Sequence, residues 1–198
     1  ATVVYPTLLR VLAGVNPLTY LRKMREPILV AFSTSSSGAT LPVTLRTVEH
    51  RIGVNNNVAS FAVPLGATVN MDGTAIMQGV ATVFIAQFFG YDLGLNAYLM
   101  VILTATLASI GTAAVPGVGL VMLTLVLDQV GLPVEGIGLI IGVDRLLDMM
   151  RTVVNVTGDG TVSTIVAASE GQLDRDVFAD PDAGRLVEPV QMAPTQTS

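Results

Sequence analysis

The chain has 198 residues, 51% hydrophobic and 13% charged, with a formal net charge of −5 and a mean hydropathy of +0.66. An ordinary soluble domain carries about 25% charged residues, so a membrane protein is the class this composition points to. The acidic balance argues against nucleic acid as a partner, and the absence of cysteine, with His50 as the only histidine, excludes disulfides and thiolate metal sites and leaves zinc remote.

In chain order, residues 1–14 read as the end of an apolar helix, without an initiator Met or signal peptide, as expected of a fragment whose beginning is missing. Asn16-Pro17 predicts a turn and a helix start. Residues 20–26 are basic, with Arg22, Lys23 and Arg25 close together, and predict an interfacial, cytoplasmic flank. An apolar run from Pro27 then meets "STSSSGATLP" (33–42), followed by a polar stretch, 44–57, in which His50 reads as a solvated loop residue. Residues 59–91 carry one charged side chain, Asp72, within "TVNMDGT" (68–74). Asn70, Asp72 and Gly73 are poor helix formers, which predicts an unwound segment. A buried carboxylate beside amide and carbonyl oxygens suits a hard cation; the competing reading is an Asp that caps the next helix.

Residues 93–127 hold no charge. As one helix they would be about 50 Å long, against a hydrocarbon core about 30 Å thick. With "ASIGTAAVPGVG" (108–119) in the middle, two half-length arms meeting at an unwound tip fit better, and such a tip must be buried in protein or line a watery cavity. The segment from Pro27 to Arg46 has the same plan around its serines. A hairpin followed by a helix therefore occurs twice, a pattern that points to a transporter binding site.

The last helix, "GVDRLLDMMRTVVNVTGDGT" (142–161), sets Asp144, Asp148, Arg151, Asn155 and Asp159 at spacings of 4, 3, 4 and 4. They fall within about 80° on one stripe about 22 Å tall. In a soluble protein this would be an amphipathic surface helix; in a chain this apolar, intramembrane ionisable residues line a substrate or ion path. The serines 33–37 offer hydroxyls and N–H groups at a half-helix end, suited to an anion. After Gly171 the composition turns polar and acidic, and "QMAPTQTS" (191–198) reads as a disordered tail.

Together, "STSSSGATLP", "PLGATVNMDGT", "ASIGTAAVPGVG" and "LLDMMRTVVNVTGDG" resemble the four signatures, in order, of the dicarboxylate/amino acid:cation symporter family, the glutamate transporters. The resemblance covers about residues 2–171 and implies an all-α membrane protein. Residues 1–170 would be a partial transport domain: the end of the sixth helix, a re-entrant hairpin, the seventh helix, a second re-entrant hairpin and the eighth helix, built as an inverted repeat. Residues 171–198 would be a polar tail.

What the resemblance implies for residues follows from the motifs. Arg151 would grip a substrate side-chain carboxylate and Asp148 its α-ammonium, with Thr152 and Asn155 on the backbone groups and Thr74 near the carboxylate. Ser35, Ser36, Ser37 and the stretch Val115, Pro116, Gly117 would enclose the substrate from the two tips. Gly66, Asn70, Asn155 and Asp159 would bind one Na⁺. Thr68 and Met71, with carbonyls of Ser109, Ile110 and Thr112, would form a second site, and Asp72 with Asn70 part of a third. Many archaeal members carry an Arg where Ser35 stands; Arg145 is the nearest other candidate for that charge. Several relatives have Ser at the place of Gly38.

The expectation is therefore not an enzyme but a multi-pass inner-membrane carrier, a homotrimer in its full length. It would couple Na⁺, with H⁺ as the other candidate ion, to L-aspartate or L-glutamate through a domain that moves like an elevator. One rival is a proton-coupled C4-dicarboxylate symporter of the same family, against which Asp148 argues, since a substrate without an amine needs no such carboxylate. The other is an intramembrane aspartyl protease using Asp72 and Asp159, whose Gly-x-Gly-Asp motif breaks at Val156.

Overall fold

A computed structural model describes residues 1–184. Every element is helical; the one β-bridge, between Val54 and Leu173, is isolated. The chain opens with α1 (Val4–Leu8), which runs into a π-helical turn (Leu9–Ala13) closed by left-handed Gly14. Asn16 then caps α2 (Pro17–Lys23), its side chain accepting from Leu18 N at 2.9 Å, with Pro17 in the first turn where its missing N–H costs nothing.

The first helical hairpin consists of α3 (Arg25–Thr34) and α4 (Ser37–Thr47). Its tip is two residues long. Ser35 takes φ +53°, the only left-handed non-glycine among the described residues, and Ser36 caps α4 by accepting from Ala39 N at 3.1 Å. A π-helical turn (Val48–Ile52) ending at left-handed Gly53 leads out of α4. The polar stretch 44–57 is mostly helical; His50 is exposed, as expected, but on this turn and not in a loop.

Next, α5 (Asn56–Val69) and α6 (Asp72–Phe88) form one helix broken at Asn70 and Met71, whose ψ values of +69° and +47° leave the helical region. The second hairpin pairs α7 (Leu95–Ser109) with α8 (Val118–Gln129) across a tip at 110–117 that turns through Gly111 and Gly117, both at positive φ. A 3₁₀ turn (Val134–Gly136) and α9 (Ile137–Ile141) lead to α10 (Asp144–Ser169), the longest helix, with 26 residues. It is the axis of the molecule and packs on α3, α4, α5 and α6.

The described residues end with α11 (Arg175–Ala179), capped by Asp174 and seated through Phe178 on the same core as Tyr20, Met24 and Ile52. The polar stretch after Gly171 thus begins as folded structure, and "QMAPTQTS" lies outside the described residues.

Apolar side chains occupy both sides of the molecule. Val48, Ile52, Val63 and Val156 fill one core, and Ile85, Leu123, Leu127 and Ile140 fill another. Leu99, Ile102, Leu103, Leu107, Val121 and Leu125, on the second hairpin, are at least half exposed. Among the described residues no helix is long and apolar enough to cross a membrane. The uncharged run 93–127 is not one helix but two arms meeting at an irregular tip, and the one long helix is polar along its stripe.

Candidate functional site

The stripe on α10 faces inward. Asp148, Arg151, Asn155 and Asp159 are each at most 4% exposed, and each meets the broken helix or a tip. Arg151 Nη2 lies 2.6 Å from Asp148 Oδ1, to which its Nε also donates at 2.8 Å, the only ion pair among the described residues. Nη1 donates to Thr74 Oγ1 at 3.1 Å, and Nη2 reaches the Val115 carbonyl at 3.5 Å. The other Asp148 oxygen accepts from Gly117 N at 2.9 Å. The second tip is thus fastened to α10 through both charges. Burial of such a pair is tolerated only where extra hydrogen bonds complete it, and removing one partner leaves the other stranded at a cost of about 3–5 kcal/mol.

One turn along, Asn155 Oδ1 accepts from Gly73 N at 2.7 Å, while its Nδ2 points to Met71 Sδ (3.1 Å) and Thr74 Oγ1 (3.5 Å). Asp159 follows. Its Oδ1 accepts from Asn70 Nδ2 at 3.0 Å, and no Lys, Arg or His among the described residues pairs with it. A carboxylate buried with a single amide donor is costly unless a cation or proton joins it.

Glycines make these approaches feasible. A Cβ on Gly66 would stand 2.7 Å from Asp159 Oδ1, and one on Gly73 would run into the Arg151 carbonyl. The Asn-Met-Asp-Gly break therefore does two things: it frees backbone groups, and it lets α6 start hard against α10.

The tips meet each other as well. The Ala114 carbonyl accepts from Ser36 Oγ at 2.7 Å and from Gly38 N at 3.1 Å. Thr68 O accepts from Gly111 N at 2.9 Å, which ties the second tip to the end of α5. Ser35 and Ser37 are buried, Ser35 Oγ without a partner; Thr152 is fully buried, its hydroxyl bonded to Asp148 O. Ser109 and Thr112 are buried under the tip, whereas Ile110, Val115, Pro116 and Thr68 are exposed.

Two expectations need correction. Asp72 is not buried. It starts α6 with no capping bond of its own and turns outward, where Oδ2 accepts from Tyr5 Oη at 2.8 Å. Of the pair expected to share a cation there, Asn70 turns to Asp159 and Asp72 does not. The basic flank, expected at an interface, also has a buried member: Lys23 is 2% exposed. Arg145 is exposed beside the stripe, and Asp144 is half-buried.

Sequence reasoning missed the two phenols. Tyr5 Oη reaches Asp72 and, at 3.4 Å, Val154 O; Tyr20 Oη donates to Thr157 O at 2.8 Å. They press against Gly158 and Gly160, where a Cβ would lie 2.8 Å and 2.5 Å from the respective phenol oxygens. The paired glycines around Asp159 were the available signal, since glycine inside a helix marks a close approach.

No three of His, Cys, Asp and Glu among the described residues are grouped as a metal site; the oxygens near Asp159 come largely from amides and backbone. The sodium:dicarboxylate symporter family model matches residues 1–169. The chain belongs to that family. It is a family of membrane transporters and not of enzymes, which sets the paired-aspartate protease aside.

Among similar proteins, excitatory amino acid transporter 3 of Mus musculus is 44% identical over 98% of this chain and 37% of its own length. The human excitatory amino acid transporter 3 is 47% identical over 83% of this chain and 31% of its own length, and an excitatory amino acid transporter of Caenorhabditis elegans is 49% identical over 76% and 30%. The chain spans about a third of the length of the symporter relatives it matches.

Proposed function

We propose that residues 1–170 are the substrate-handling part of a sodium-coupled symporter for acidic amino acids, L-aspartate or L-glutamate, in the cell membrane. The observation that carries this reading is the buried Arg151–Asp148 pair under the second tip. An amino acid with an acidic side chain brings both complements at once. Its carboxylate takes the planar guanidinium fork, and its ammonium takes Asp148 as Arg151 turns away. One internal pair is exchanged for two with the substrate. A dicarboxylate without an amine would leave Asp148 buried and unmatched, which disfavours the C4-dicarboxylate rival.

Thr74, Thr152 and Asn155 would hold the substrate's remaining polar atoms, and Ser35–Ser37 with Val115–Gly117 would cover it. Na⁺ is co-transported cargo in this reading. Asp159, Asn70, Asn155 and the Gly66 carbonyl make one oxygen-rich set; Thr68, Met71 and the 109–112 backbone make a second under the tip.

Hydrogen bonds connect the first set to the substrate groups, from Asp159 to Asn70 and from Gly73 through Asn155 and Thr74 to Arg151. A cation at Asp159 would fix Asn70 and the break, and through them the guanidinium. Closure of the second tip would follow, and the charge-compensated unit could cross the bilayer as an elevator within a trimer. The relatives named above are called excitatory amino acid transporters, which supports the substrate class.

The test is binding of labelled aspartate to the purified full-length protein, with and without Na⁺ and against excess succinate. Wild type should bind only with Na⁺ and resist succinate. Arg151→Cys should lose acidic substrates by at least about a hundredfold, as expected for a stranded carboxylate worth about 3 kcal/mol. Unchanged aspartate binding by Arg151→Cys would refute the assignment, and full displacement by succinate would favour the dicarboxylate carrier.

A further inference from the structure

Between α2, α3 and the π-turn after α4 lies a recess of about 510 Å³ that plays no part in the site above, lined by Arg22, Arg25, Glu26, Leu29, Val30 and Arg51. Three guanidiniums share it with one carboxylate, and none of them forms an ion pair among the described residues. Arg51 is the innermost. Its Nη1 makes one long bond, 3.4 Å, to the Lys23 carbonyl, and its Nε is buried without any acceptor. A buried guanidinium N–H with no acceptor is destabilising, and buried donors in native proteins nearly always have one.

The local surplus of positive charge is also felt next door. The Lys23 amine, held by the carbonyls of Arg51, Val177 and Asp180 at 2.6, 2.7 and 2.7 Å, has its pKa drawn down by burial and then by Arg51, against an opposing pull from Asp180. Lys23 is thus committed to carbonyls and does not neutralise the recess.

We propose that this recess binds the headgroup of an anionic glycerophospholipid, its phosphodiester on Arg22, Arg25 and Arg51 and a headgroup hydroxyl donating to Glu26. Guanidinium forks match phosphate oxygens in geometry, and an oxygen at Arg51 Nε would supply the acceptor that group lacks. A free phosphate ion would satisfy the arginines equally, but the recess is apolar on one side. Leu29 and Val30 form one wall, and Leu29, Leu21 and Phe32 are exposed beside it, at 54%, 39% and 37%. An acyl chain would cover these residues. Basic residues beside a membrane segment attract anionic leaflets for the same electrostatic reason. The proposal requires only that the chain is membrane-embedded and stands apart from the transport reading.

The experiment is native mass spectrometry of the full-length protein in detergent after incubation with phosphatidylglycerol, phosphatidylethanolamine or phosphatidylcholine, with inorganic phosphate as a soluble competitor. Phosphatidylglycerol should be retained selectively. The Arg22→Gln, Arg25→Gln double variant, altered at two exposed positions without partners among the described residues, should retain at least about tenfold less, each cation contributing about fivefold. Its thermal midpoint in lipid-free detergent should be unchanged, which separates loss of the lipid from loss of the fold. Equal retention of the three lipids, retention indifferent to the double variant, or complete displacement by millimolar phosphate would each overturn the proposal.

Discussion

Lys23 reverses what its neighbours suggest. Arg22 and Arg25 stay at the surface, while Lys23 turns in and gives its three N–H bonds to three carbonyls from two distant segments, with the Phe178 ring 5.6 Å from its nitrogen. Burial favours the neutral amine, but three acceptors call for three donors, and only the ammonium has them. Lys23→Met would keep the bulk and strand three carbonyls. A loss of about 3 kcal/mol is expected, at about 1–3 per stranded group with partial relief from water, read as a lower thermal midpoint and faster proteolysis around α11.

Gly158 offers a sharper test. An added Cβ would stand 2.5 Å from Asn70 Nδ2, so Gly158→Ala must push Asn70 off Asp159; Gly79→Ala, with nothing within 4 Å, is its control. The first should weaken the Na⁺ dependence of aspartate binding about tenfold or more, as loss of a charge-assisted bond worth about 1.5–3 kcal/mol implies. The second should leave it unchanged. A sodium titration that does not separate the two variants would remove Asn70 from the proposed ion site.

At the scale of elements, the two hairpins differ in how they turn. The first uses a single strained serine, Ser35, and a capping hydroxyl, Ser36; the second uses two glycines and eight residues, 110–117. A longer tip with free glycines opens at less cost than a two-residue tip whose turn is stapled to the next helix. The second hairpin is therefore the better candidate for the moving cover. A Cβ at Gly38 would lie 3.6 Å from Ala114 Cβ, within the range a disulfide bridges, about 3.5–4.5 Å. The chain has no cysteine of its own. Gly38→Cys with Ala114→Cys should cross-link under mild oxidant, hold the tips together and stop aspartate exchange, with recovery on reduction. Exchange that continues in the fully cross-linked protein would show that the substrate enters by another way.

At the scale of the whole molecule, the legible features were those with a strong period or a strong interruption. The α10 stripe was readable because five polar groups at helical spacing cannot all face lipid, and the α7–α8 hairpin because 35 uncharged residues with a glycine-rich centre do not make one straight helix. The helix broke within the motif as expected, but at Asn70 and Met71, with Asp72 and Gly73 already inside α6. What composition did not carry was direction. Whether Asp72 points in or out depends on where the break sets its Cα, and whether Lys23 is surface or core depends on α11, which lies more than 150 residues away in the chain. The phenol contacts at Gly158 and Gly160 are likewise long-range, and only the glycines hinted at them.

The contact between the tips carries a last consequence. One oxygen, on Ala114, serves a hydroxyl and an amide of the opposite hairpin simultaneously. Parting the hairpins strips a partner from the Ser36 O–H, the Gly38 N–H and the Ala114 carbonyl in a single movement, and hydrocarbon offers them nothing. Separation costs least where solvent can rehydrate them, so wetting and opening become one event, and a tip contact kept dry stays shut.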